Sequence, residues 1–129
     1  MSSQHSSLLT IFNDHFGEFI SDIYSVFPDN VNILTAKNSF IAIRKANPRI
    51  TLFIWNKYIS KPYRTQIDNG DISFFVEKDY SKDFENHGYG DYIMENINML
   101  RDPVNQMSVE NKAKTMKYIQ NLCKIADLL

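Results

Sequence analysis

A chain of 129 residues with 43% hydrophobic and 22% charged content has the size and make-up of one globular domain, long enough to bury a sizeable core. A single cysteine, Cys123, excludes an internal disulfide, and four glycines with four prolines supply little turn material for a many-stranded β protein. A net charge of −1 is unlike a dedicated nucleic-acid binder, no apolar run reaches the roughly 18 residues of a membrane span, and no basic-then-apolar leader is expected, so the composition points to a reducing intracellular compartment without a membrane.

Residues 1–7 are polar and predict a frayed tail, with a single helical domain over 8–129. Ser6 or Ser7 can cap the first helix. Leu8, Phe12, Phe16, Phe19, Ile23 and Phe27 then recur at steps of three and four, which places them on one helical face. Pro28 ends this element by pushing its predecessor out of the α region. A second helix is expected from Asp29 or Asn30 to Ala46, with Val31, Leu34, Phe40, Ile41, Ala42 and Ile43 as its apolar face.

Asn47-Pro48 reads as an N-cap followed by proline at the first helical position. The third helix carries Ile50, Phe53, Ile54 and Tyr58 on one side until Pro62, although its Ile50-to-Trp55 run is also strand-like. A short turn of helix over 63–69 should stop at Gly70, and Asp71 can cap another holding Ile72, Phe75 and Val76. Residues 79–90 read as the longest loop. A helix over 91–101 carries Ile93, Met94, Ile97 and Leu100, and Asp102-Pro103 repeats the cap-plus-proline signal. Ser108 begins the last helix, through Val109, Ala113, Met116, Ile119, Leu122 and Ala126 nearly to Leu129. The expected fold is all-α, a compact bundle of about five or six helices.

Charge is unevenly distributed along this chain. Residues 1–36 hold acids only, Asp14, Glu18, Asp22 and Asp29. Residues 37–67 hold bases only, Lys37, Arg44, Lys45, Arg49, Lys57, Lys61 and Arg64, interleaved with Phe40, Phe53, Trp55, Tyr58 and Tyr63. Such a segment offers a surface for an acidic partner protein, or for phosphate backbone and base stacking. The competing interpretation keeps the aromatics in the core and docks the bases against the acidic 68–102 segment of the same fold. Self-complementary patches would equally join two copies. Trp55 is a packing residue in one version and the anchor of a binding surface, beside Lys57 and Tyr58, in the other.

Motifs for chemistry are incomplete. Asp79, Ser81 and Asp83 imitate three calcium ligands, but Phe84 and Gly90 stand where an EF-hand needs glycine and glutamate. His5, His15 and His87 share no metal-type spacing with Cys123 or with each other. His87-Gly88-Tyr89-Gly90-Asp91 lacks the Lys-Ser/Thr of a phosphate loop and reads as a loop with a capping Asp91. Cys123, among Leu122, Ile125 and Ala126, reads as a buried inert thiol. No catalytic residue, metal, cofactor or small-molecule substrate is expected.

The segments from Asp22 to Asp29 (DIYSVFPD), from Leu34 to Pro48 (LTAKNSFIAIRKANP), from Leu100 to Pro103, from Ser108 to Lys114 and from Met116 to Asn121 resemble a family of short proteins encoded by large nucleocytoplasmic DNA viruses of algae and amoebae. The similarity runs from about Phe12 to Ala126. It carries no activity or site residue; it implies a setting in infected-cell cytoplasm, a viral factory or the virion. The expected function is a non-catalytic helical protein-interaction module, a small virion or assembly component. The alternative is a nucleic-acid-associated accessory protein acting through the basic 37–64 segment.

Overall fold

Helix α1 (Ser3–Val26) forms the spine of the protein; the computed structural model describes residues 3–77 and 89–128. The helix begins ahead of the expected cap at Ser6 or Ser7, since no proline or glycine in that stretch interrupts it. Phe12, Phe16, Phe19 and Ile23 are buried along one side, as their spacing predicts, and Ile20 joins them. Phe16 is the hub of an aromatic cluster, with its ring 5.0 Å from Phe40, 5.9 Å from Phe19 and 5.7 Å from Trp55, the last edge-to-face.

Asn30 caps α2 (Val31–Ala46), its Oδ1 accepting the Ile33 N–H at 3.1 Å. The buried side of α2 is Ile33, Ala36, Phe40 and Ile43. Of the expected apolar face, Val31, Leu34, Ile41 and Ala42 instead face solvent. Apolar residues outnumber the positions one side of a helix can hold, and only one of the two stripes meets α1 and the rest of the core. Asn47 closes α2 by donating its N–H to Ile43 and opens the next turn by accepting the Arg49 N–H on Oδ1. Asn13 Nδ2 donates to the Pro48 carbonyl at 2.8 Å and ties α1 to this corner.

The strand-like run forms α3 (Ile50–Trp55), which passes directly into a π-turn (Asn56–Ser60) closed by Lys61 N–H donating to the Asn56 carbonyl. Thr51, Ile54, Trp55, Ile59 and Ser60 are buried and Ile50 and Tyr58 are partly buried, so of the expected face only Phe53 points outward. After α4 (Arg64–Asp68), Gly70 adopts a φ of +71°, with its own N–H donating to Ile67 and the Asp71 N–H donating to Gln66. That bond pair is a Schellman stop, and a left-handed residue at this place favours glycine. The Asp71 carboxylate accepts from the Ser73 backbone and hydroxyl at the start of α5 (Ser73–Glu77).

Helix α6 (Tyr89–Asn105) buries Ile93, Met94, Ile97, Leu100 and Val104. Contrary to the break expected at Asp102-Pro103, the helix carries Pro103 inside its last turn. The proline forgoes one backbone bond there, and it is itself buried. Ser108 caps α7 (Val109–Asp127), its Oγ accepting the Asn111 N–H at 3.1 Å. Met116, Ile119, Leu122, Cys123 and Ala126 line its buried side, whereas Val109 and Ala113 lie in solvent.

These seven helices and the π-turn make an all-α bundle, with no strand among the described residues. Helix α1 packs between α2 and α7, α2 and α3 rest on α6, and the π-turn and α4 rest on α7. Two side chains lace the smaller helices to the larger ones. Gln120 Nε2 donates to the Ile67 carbonyl at the end of α4, and Arg101 donates to the Val76 carbonyl at the end of α5.

Candidate functional site

The basic segment divides into two surfaces and a buried anchor. Trp55, read from sequence as either a packing residue or the exposed anchor of a binding surface, is fully buried and packs on Phe16 and Phe19. It is a core residue, on the side of α3 that also buries Thr51 and Ile54. The exposed aromatic in its place is Phe53, with 57% of its surface in solvent. No sequence signal separates the two, since both sit in the same apolar run.

The first surface is a groove of about 650 Å³ between α1 and α2. Gly17, Phe40, Ile41 and Pro48 supply its apolar lining, Lys37, Arg44 and Lys45 stand on the α2 side, and Glu18 and Ser21 on the α1 side. Three of the residues proposed from sequence therefore converge here. Arg44 is anchored by Asp14, donating from Nη2 to Oδ1 at 2.7 Å. The Lys37 ammonium lies 5.6 Å from the Tyr24 ring centre. Lys45 is exposed and has no ion-pair partner among the described residues. Ile41 and Leu34, the stranded half of the apolar face of α2, are 44% and 38% exposed.

The second surface is the outward side of α3 and the π-turn, where Arg49, Phe53, Lys57 and Lys61 are all exposed. The Lys57 ammonium sits 5.8 Å from the Phe53 ring centre and 5.4 Å from that of Tyr58. Arg64 belongs to neither surface. It grips both carboxylate oxygens of Asp127 and donates to Ser60 Oγ at 3.2 Å. This bond to Asp127 holds the Arg64 guanidinium protonated above its ordinary range.

Among the described residues, Arg44 and Arg64 thus pair with acids of α1 and α7, and not with the 68–102 segment proposed as their internal partner. A third inter-helix pair joins Lys114 to Asp22 at 2.7 Å. The Asp22 carboxylate raises the Lys114 pKa through that bond, while burial and then the carboxylates of Asp22 and Glu18 raise that of Tyr118.

Cys123 is buried, as read from sequence, beside a small cavity of about 160 Å³ that Arg64, Gln120 and Lys124 also line. Burial pushes the thiol pKa up, and the Ser60 hydroxyl and Trp55 indole N–H oppose this only in part. The indole nitrogen makes no hydrogen bond of full geometry, so its approach to the sulfur is a weak contact. Such a thiol is a poor nucleophile.

His15 sits half-buried on α1, with Nδ1 3.5 Å from Glu18 and its ring 5.0 Å from that of Tyr118. Among the described residues no three His, Cys, Asp or Glu side chains are grouped to hold a metal ion, and no helix is long and apolar enough to cross a membrane. The calcium-like residues Asp79, Ser81, Asp83 and Phe84, with His87 and Gly88, lie outside the described residues. No protein-family model, no curated protein and no solved structure matches the chain.

Proposed function

We propose that this protein is a non-catalytic helical interaction module that receives a partner protein in the groove between α1 and α2. The observation that carries this reading is the pairing of an apolar lining, Gly17, Phe40, Ile41 and Pro48, with a basic border of Lys37, Arg44 and Lys45. Its occupant is an amphipathic helical segment with an apolar stripe and carboxylates along one flank. The stripe would cover Ile41 and the lining, and the carboxylates would meet Lys37 and Lys45. Arg44, already held by Asp14, contributes a fixed positive edge. The resemblance to proteins of large nucleocytoplasmic DNA viruses sets the module in infected-cell cytoplasm, in a viral factory or in the particle, as a small virion or assembly component.

A direct test titrates the ¹⁵N-labelled protein with a synthetic helical peptide carrying leucines flanked by glutamates. Saturable shifts centred on Gly17, Ile41 and Lys45 support the groove. Shifts confined to other faces, or none at millimolar peptide, remove it. Proteomics of purified particles separates a packaged component from a factory-resident one.

A further inference from the structure

We propose that the outward side of α3 and the π-turn is a second, independent binding surface, one that takes single-stranded nucleic acid through Phe53, Lys57 and Lys61. The four-residue spacing of Arg49, Phe53 and Lys57 places them on one side of the helix, and the wide step of the π-turn brings the next exposed base at Lys61. An aromatic ring exposed over more than half its area, with an ammonium beside it, matches the parts of a stacking platform. The ring takes a base face, and the cations take the flanking phosphates.

Two features favour nucleic acid over a peptide here. The surface is the outer side of a helix, and an exposed aromatic ring gives a base a flat face on which to stack. No Asp or Glu occurs anywhere from 37 to 67, so no carboxylate on this segment repels a phosphate. The low net charge of the whole chain does not oppose this, because the contact is local and screening confines it to within about 8–10 Å at ordinary salt.

The test is fluorescence anisotropy with a labelled oligothymidylate of about 20 nucleotides at about 50 mM salt, using the full chain. Binding should be saturable, and the phosphate contacts of Lys57 and Lys61 on a single strand give a log–log salt slope of about −1.4. Phe53→Ala should weaken binding about tenfold and leave the slope unchanged. Lys57→Ala with Lys61→Ala should flatten the slope to near zero. Lys37→Ala with Lys45→Ala, in the groove, should change affinity by less than about twofold, while abolishing peptide shifts there. The two surfaces therefore succeed or fail separately. Should Phe53→Ala lose its fold by circular dichroism, Lys57→Glu serves as the second variant, with loss of binding expected. Absence of binding at low salt overturns the proposal. So does affinity insensitive to Phe53→Ala, or polyglutamate binding as tightly as the oligonucleotide through the same lysines.

Discussion

Trp55 packs against Phe16 and Phe19 with no surface in solvent, while Phe53, two positions earlier, is 57% exposed. Trp55→Ala should therefore cost about 3–5 kcal/mol, through lost burial and the cavity left behind. Phe53→Ala should change stability by no more than about 0.5 kcal/mol. Urea denaturation of the two variants checks the contrast, and equal losses would mean that the helix is rotated differently. Gly17 offers a finer probe. A Cβ there would meet Phe40 Cε2 at 3.5 Å, an ordinary contact, in the middle of a long helix. Gly17→Ala should stabilise the protein by about 0.5–1 kcal/mol. Gly17→Leu should fill the groove and weaken the peptide, separating the contribution of this residue to folding from its contribution to docking.

The helices themselves were largely legible, because caps and stripes are local signals. Asn30 and Ser108 cap where the sequence places them, and each accepts one backbone N–H at 3.1 Å. Asn30→Ala and Ser108→Ala should each cost about 1 kcal/mol, and Asn30→Gly only a few tenths, measured by chemical denaturation. The faces of α2 and α3 were less legible, for two physical reasons. Helix α2 carries two apolar stripes, and only packing against α1 and α6 decides that Ile33 and Phe40 go in while Leu34 and Ile41 stay out. In α3 the π-turn alters the angle per residue, so a 3.6-residue period extended past Trp55 selects Tyr58 where the fold buries Ile59 and Ser60. Pro103 misled because a proline commonly ends a helix, whereas α6 runs two residues past it.

Across the molecule, ion pairs among the described residues join distant parts of the chain, Arg44 with Asp14, Lys114 with Asp22 and Arg64 with Asp127. Each pair has at least one partner open to solvent, where screening leaves little net stabilisation, so the aromatic core and not the charge pattern holds the bundle together. Segregated charge along the sequence identified a basic segment, but which bases remain available depends on α1 and α7, which lie far from it in sequence. Stability should fall on the alkaline side. Cys123 and Tyr118 both have pKa values raised in the fold. Their protons are kept longer in the native state, so their contribution is intact below the unfolded values. It is lost as pH climbs from about 8.5, where an unfolded thiol ionises. Urea midpoints measured between neutral and strongly alkaline pH should decline, and Cys123→Ala should remove the earliest part of that decline. Thiol labelling gives a companion check, with modification slow in the native protein and fast in denaturant.

The π-turn has an evolutionary and engineering corollary. A helix that holds one surplus residue in a bulge can shed it and close into regular α geometry, with the segments before and after keeping their alignment. Deleting Asn56, which is only half-buried, should therefore be tolerated far better than a one-residue deletion in the middle of α1 or α7, where every later side chain would swing round by about 100°. Such a shortened chain would carry Trp55 and Ile59 into the core unchanged while shifting Lys57 relative to Phe53. The bulge would then be a means of setting the spacing of the outer side chains without disturbing the inner ones.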